Sequence, residues 1–172
     1  MAVILFLGLA VLIFSISDNQ TTKKDIKAVA GLEAPALSLD DTAGKRLNEN
    51  DLKGTVSFIN FWASWCKPCR DEMPSIQALY NQFRDDKRVR FIMVLYKDDV
   101  EKAMKYLKEN NFDLPVFIDI NAKTASNYGI TGVPETYLVG KKGIISQKII
   151  GPADWSSNKA IAAVTGLINE QL

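Results

Sequence analysis

The sequence predicts an α/β fold, with a mixed central sheet flanked by helices, on three observations. Residues 55–62 and 89–96 are apolar on both of their alternating faces, as strands covered from both sides by helices are. Between them Ile76, Leu79, Tyr80 and Phe83 recur at i, i+3, i+4 and i+7, so the three segments form a parallel strand–helix–strand unit. Near the end of the chain, residues 135–139 and 144–150 flank the turn Lys141-Lys142-Gly143 and close the sheet with a hairpin.

Residues 36–41 alternate apolar and polar side chains before a turn at 42–45, which predicts an N-terminal β-hairpin, and residues 51–54 make a second turn. In the first long strand Val56 and Phe58 point to one face, and Ile59 and Phe61 to the other. After the strand at 89–96, Asp98 or Asp99 caps a helix with the apolar stripe Val100, Met104 and Leu107. The pairs Glu101–Lys105 and Lys105–Glu109 lie on its outer face. A short strand at 115–120 and a brief helix at 122–128 follow, and Gly132-Val133-Pro134 breaks the chain before the closing hairpin. Asp154 and Ser156 are candidate caps for a last helix that buries Ile161, Val164 and Ile168. The resulting order is β-β-α-β-α-β-α-β-β-α.

Composition narrows the chemistry. A chain of 172 residues supports one sizeable core, here from residue 31 to 172. Its 21 Lys and Arg balance 20 Asp and Glu, and no basic block marks a nucleic-acid surface. The chain has no His and only two Cys, too few ligands for a self-contained zinc site. Arg70 follows Cys69, so the pair is not a Cys-x-x-Cys-His haem attachment site.

Residues 1–17 carry no charge, and their uninterrupted apolar stretch runs from Ala2 to Phe14. Extended through Ile16 it is about 22 Å long as a helix against about 30 Å of hydrocarbon, short for a span and within the range of a signal-peptide core. The expectation is an N-terminal hydrophobic anchor or signal segment at 1–17, uncleaved rather than cleaved, and a polar tether at 18–30. No basic residue precedes the apolar run while Lys23, Lys24 and Lys27 follow it, a pattern that alone would keep the domain on the cytoplasmic side. The expectation is therefore also that basic residues lie upstream of this sequence.

Cys66 and Cys69 stand at the junction of the first long strand and its helix. A cysteine in the first turn of a helix sits beside free backbone N–H groups and the positive end of the helix dipole, which favour thiolate over thiol. Cys66 occupies that place, and Cys69 lies one turn inward, able to close a ring with it. Pro68 between them suits a first-turn position that needs no N–H donor. The pattern supports attack by Cys66 on a disulfide and resolution of the mixed disulfide by Cys69. An inert structural disulfide across so small a loop would gain little stability.

Asn60-Phe61-Trp62-Ala63-Ser64-Trp65-Cys66-Lys67-Pro68-Cys69 resembles the active site of the thioredoxin superfamily, and Thr131-Gly132-Val133-Pro134-Glu135-Thr136 resembles its cis-proline loop. The resemblance implies a thioredoxin fold, with Pro134 the cis-proline against the cysteines and Val133 the residue whose backbone pairs with substrate. It also places Trp65, Lys67, Pro68 and Glu135 around the substrate, whereas Trp62 divides evenly between packing and function. Thioredoxins carry an acid where this chain has Asn60, so another group must take the proton of Cys69. Glu72, one turn along the helix, is the first candidate and Glu135 the second.

Asn60, Glu72 and Pro134-Glu135-Thr136, with Ala34-Pro35, Tyr96-Lys97-Asp98-Asp99 and Gly151-Pro152, are similar to the membrane-anchored ResA/TlpA/CcmG (DsbE) family of thiol-disulfide oxidoreductases. That resemblance implies no cofactor beyond the redox-active Cys66–Cys69 pair. It implies a domain on the periplasmic or outer face of the cytoplasmic membrane, or secreted after cleavage. It implies reduction of protein disulfides, those of apocytochrome c during cytochrome c maturation in particular, with electrons from a membrane thiol carrier of the CcdA/DsbD type. The same fold also serves as a dithiol oxidant. A copper metallochaperone or a redox-inactive binding module are the readings of another class.

Overall fold

The structure is a computed structural model that describes residues 28–171. Seven strands form one sheet in the order β2-β1-β5-β4-β3-β6-β7. They are β1 (Ser38–Asp41), β2 (Arg46–Asn48), β3 (Val56–Trp62), β4 (Val89–Leu95), β5 (Val116–Ile118), β6 (Glu135–Val139) and β7 (Ile145–Ile150). Four helices, α1 (Lys67–Phe83), α2 (Val100–Glu109), α3 (Lys123–Tyr128) and α4 (Asn158–Asn169), connect or follow the strands. The pairs β3–β4 and β4–β5 are parallel; β3–β6, β6–β7, β5–β1 and β1–β2 are antiparallel. The sheet is therefore mixed, with a parallel centre and antiparallel edges. The N-terminal hairpin extends it, and Arg46–Asn48 adds one strand to the order anticipated from sequence.

All seven residues of β3 are buried, because the sheet is covered on both faces. Val56, Phe58 and Trp62 pack with α1, α2 and α4 in one cluster that includes Met73, Ile76, Leu107 and Val164. Ile59 and Phe61 pack in a second cluster with Leu39, Tyr128, Tyr137 and Ile145. Ala28 belongs to this second cluster and is fully buried, so the packed chain reaches into the segment expected to be tether. The expected anchor at 1–17, and most of the tether, lie outside the described residues; among those described, no helix is long and apolar enough to cross a membrane.

Three local expectations are corrected. Met104 is exposed, and the buried stripe of α2 runs through Ala103 and Leu107, since Ala103 lets the helix approach the sheet. Of the two ion pairs on α2 only Lys105–Glu109 forms, at 3.8 Å, among the described residues. The cap of α4 is Ser157, whose hydroxyl accepts from Ala160 N at 3.3 Å, while Asp154 is used one turn earlier to accept from Ser156. Asp99 caps α2, and Asp98 instead accepts from Ser64 N, tying the β4–α2 loop to the chain ahead of the cysteines.

Phe61→Ala removes a ring that meets Tyr128 and Tyr137 at centroid distances of 5.4 and 6.1 Å. We expect chemical denaturation to show a loss of about 3–5 kcal/mol, against a change within about 0.5 kcal/mol for the exposed Met104→Ala.

Candidate active site

Cys66 is the N-cap of α1 and its backbone is extended, φ −83° and ψ 108°, so its side chain turns back over the helix end. Cys69 N donates to Cys66 Sγ at 3.2 Å. That amide is one of the donors the first turn of any helix leaves without a partner, and here it is aimed at the Cys66 sulfur. Lys67 and Pro68 take the first two helical positions, where the missing proline N–H costs nothing. The two cysteines form a disulfide with Cα atoms 5.3 Å apart. Cys66 is 5% exposed and Cys69 fully buried, so only the first presents itself to a partner.

The surface around Cys66 comes from three segments. The Val133–Pro134 peptide is cis, and the Val133 carbonyl oxygen lies 3.5 Å from Cys66 Sγ. Trp65 is 57% exposed, although its Nε1 donates to Lys97 O at 3.2 Å, so its ring stands at the surface in a fixed pose. Lys67 is exposed and pairs with Asp71 at 2.7 Å, and Pro68 is exposed beside it. Trp65, Pro68 and Val133 thus give Cys66 an apolar margin with one free backbone carbonyl. Trp62, by contrast, is fully buried and stacks with Tyr106 at 6.4 Å, a core role.

Glu72 is three residues beyond Cys69, one turn along the same helix face, and is 3% exposed. Asn60 Nδ2 donates to Glu72 Oε1 at 3.1 Å and to Thr136 Oγ1 at 2.8 Å. Ala153 N and Trp155 Nε1 donate to Glu72 Oε2, at 3.0 and 3.2 Å. Burial raises the pKa of Glu72 above its ordinary 4.5, and the hydrogen bonds from Ala153, Asn60 and Trp155 oppose that rise without cancelling it. A carboxyl with a raised pKa can take and return a proton closer to neutrality than an exposed one.

Glu135, the second candidate for that task, does not join this group. It pairs in register with Phe61, on the sheet face opposite Asn60, and its carboxylate contacts the Tyr137 hydroxyl and Lys148 Nζ, the latter at 2.8 Å. The alternation of side chains along β6 is the cause: Thr136 points toward the cysteine side, so Glu135 cannot. Sequence reading missed Thr136, Ala153 and Trp155 as partners of the site. A lone Trp after Gly-Pro-Ala-Asp carried no signal except its proximity to a resembling Gly151-Pro152 stretch.

A family model described as AhpC/TSA family matches residues 30–148. A protein called thiol-disulfide oxidoreductase ResA from Bacillus cereus is 39% identical over 126 residues, 73% of this chain and 72% of that one. Thiol:disulfide interchange protein CycY from Rhizobium leguminosarum is 36% identical over 130 residues, 75% of this chain and 63% of that one. The thioredoxin domain of a thiol-disulfide oxidoreductase from Bacteroides vulgatus superposes with a TM-score of 0.68 at 26% identity, covering 82% of this chain and 99% of that domain.

The raised pKa of Glu72 makes the sign of a pH effect definite. A carboxyl that holds its proton more tightly when folded contributes fully below its unfolded pKa, and that contribution is lost as pH rises through the folded value. In the oxidised protein, where the cysteines do not titrate, stability should therefore decline as pH climbs from about 4.5 through the raised value. Glu72→Gln should flatten that decline in denaturant titrations run across pH; an unchanged slope would mean that Glu72 ionises without cost.

Proposed function

The chain belongs to the AhpC/TSA family and is a thiol-disulfide oxidoreductase of thioredoxin fold, and from this we propose that it works as a reductant of protein disulfides outside the cytoplasm. The observation that carries the reading is the position of Glu72, a buried carboxyl one turn behind the buried Cys69. A reductant must deprotonate its second thiol inside the protein at the moment of release, and a buried carboxyl one turn away supports the reading that Glu72 receives that proton.

The steps follow from the geometry. In the reduced protein the Cys66 thiolate, held by the Cys69 amide, attacks one sulfur of a target disulfide. A mixed disulfide forms, and the other target sulfur leaves as a thiolate and takes up a proton. Cys69 then gives its proton to Glu72 and attacks Cys66 Sγ. The Cys66–Cys69 disulfide closes, the second target sulfur leaves as a thiolate and takes up a proton, Glu72 returns its proton to solvent, and two electrons have passed to the target. Trp65, Pro68 and Val133 contact the target chain in the mixed disulfide, with the Val133 carbonyl accepting from a backbone N–H of that chain. Lys67 lies at the exposed rim of this surface.

The likeness to the ResA/TlpA/CcmG family supports three finer statements. The target is the disulfide of a haem-binding Cys-x-x-Cys-His in apocytochrome c, so the protein serves cytochrome c maturation. The donor that restores the dithiol is a membrane thiol carrier of the CcdA/DsbD type. Residues 1–17 anchor the domain at the periplasmic or outer face of the cytoplasmic membrane, and the polar residues between them and the packed Ala28 give it reach. No metal or organic cofactor enters this cycle.

Replacing Cys69 with Ser should leave Cys66 joined to its targets. We expect mass spectrometry of the trapped adducts to identify exported proteins, apocytochromes c among them, and Cys66→Ser to trap none; capture of cytoplasmic proteins alone would sink the outside placement. Equilibration with glutathione buffers should give a reduction potential toward the thioredoxin end, about −270 mV, whereas a value near the DsbA end of about −120 mV would make the protein an oxidant.

A further inference from the structure

Trp155 is 3% exposed, and its ring meets Phe58 edge-on with centroids 4.8 Å apart, which suffices to make it a core residue. Packing does not require that its Nε1 point at Glu72 Oε2 from 3.2 Å. The loop that carries it, residues 151–157, supplies a second donor to the same oxygen through Ala153 N. The loop is also tied to the helix that bears Glu72. Ser75 Oγ accepts from Trp155 N at 3.1 Å and donates to the Glu72 carbonyl at 2.8 Å. Acceptor and tie therefore share one turn of α1, and both face the loop that carries the donors. A cleft lined by Asp71, Glu72, Ser75, Pro152, Ala153 and Asp154 runs between helix and loop.

We propose that Trp155 is a positioning residue for Glu72, whose indole N–H fixes the carboxylate at the turn behind Cys69 and favours its ionised, proton-accepting form. The proposal rests on the reading of Glu72 as acceptor of the Cys69 proton. Burial by itself favours the carboxylic acid, and a carboxyl that already holds a proton cannot receive another. Donors to the charged form work against this, and Glu72 has three: Asn60 Nδ2, Ala153 N and Trp155 Nε1. The titratable groups facing it are Cys69 and Asp71 on its own helix and Asp154 on the loop; Asn60 of β3 and Thr136 of β6 do not titrate. The two aspartates are exposed at the rim of the cleft. Among the described residues, the indole N–H is thus one of two side-chain donors to the Glu72 carboxylate.

The test uses the reduced full-length protein labelled with 13C-glutamate, with Glu72 assigned by comparison with Glu72→Gln. Trp155→Phe keeps a ring against Phe58 and removes the N–H. The Glu72 carboxyl should then titrate about one pH unit higher, a tenfold gain in proton affinity, and the pH–rate profile for reduction of a small aromatic disulfide should move the same way. Ser75→Ala, which keeps the indole and unties the loop, should shift the midpoint in the same direction and covers the case in which the Phe variant fails to fold. A midpoint unmoved in the folded variants would reduce Trp155 to packing. If Glu72→Gln leaves the pH–rate profile intact, the acceptor reading of Glu72 falls, and the titration still decides what Trp155 does to that carboxyl.

Discussion

Burying a carboxylate is costly unless donors meet it, and the way Glu72 is met organises this molecule. Its partners come from β3, from the loop after β7 and from the turn of α1 that carries it. A sheet strand, a C-terminal loop and the helix that starts at Cys66 are therefore held in one register by a single acid. Asn60 is central to that arrangement. Its amide donates to both Glu72 and Thr136, so it links the centre of the sheet to the acid on the helix without being able to accept a proton from a thiol. In the proposed mechanism the proton-accepting role that thioredoxins give to the strand falls to Glu72 on the helix.

The opposite face of the sheet holds a second buried acid in a different way. Glu135 is 4% exposed, and it meets a full positive charge on Lys148 together with the Tyr137 hydroxyl. The Tyr137 hydroxyl oxygen also lies 3.3 Å from the Tyr128 carbonyl oxygen, and Lys148 lies over the Tyr137 ring at 5.3 Å. Paired and hydrogen-bonded in this way, Glu135 braces the strand that follows Pro134. Glu72 has donors but no cation among the causes acting on it, and so keeps the freedom to change its charge. Two neighbouring environments separate a structural carboxylate from a chemical one.

Between these two acids the chain places its reactive sulfur with little latitude. Cys66 is fixed by the first turn of α1 behind it and by Val133 in front, while Trp65 is pinned to the β4–α2 loop through Lys97. Asp98 holds the same loop against Ser64. These ties hold the exposed apolar margin in one arrangement, and preorganisation of that sort lowers the ordering cost of the docking proposed above.

Much of this was legible in the chain itself. Periodicity located the strands and helices because apolar side chains must alternate along a two-sided strand and recur every three to four residues on a helix. The cysteines declared their chemistry through their place between strand and helix, since the local backbone creates the donors that stabilise a thiolate. Glu72 could be found because i and i+3 share a helix face. Tertiary structure decided the rest. Whether Glu135 or Glu72 stands behind Cys69 depends on which face of β6 meets the helix, and that is set by strand pairing rather than by adjacency to Pro134. Met104 and Ala103 exchanged roles because the closeness of α2 to the sheet determines which side chain fits. Trp155 reaches Glu72 across more than eighty positions of sequence, a contact that no local pattern encodes, because it exists only once the last loop folds back over the first helix.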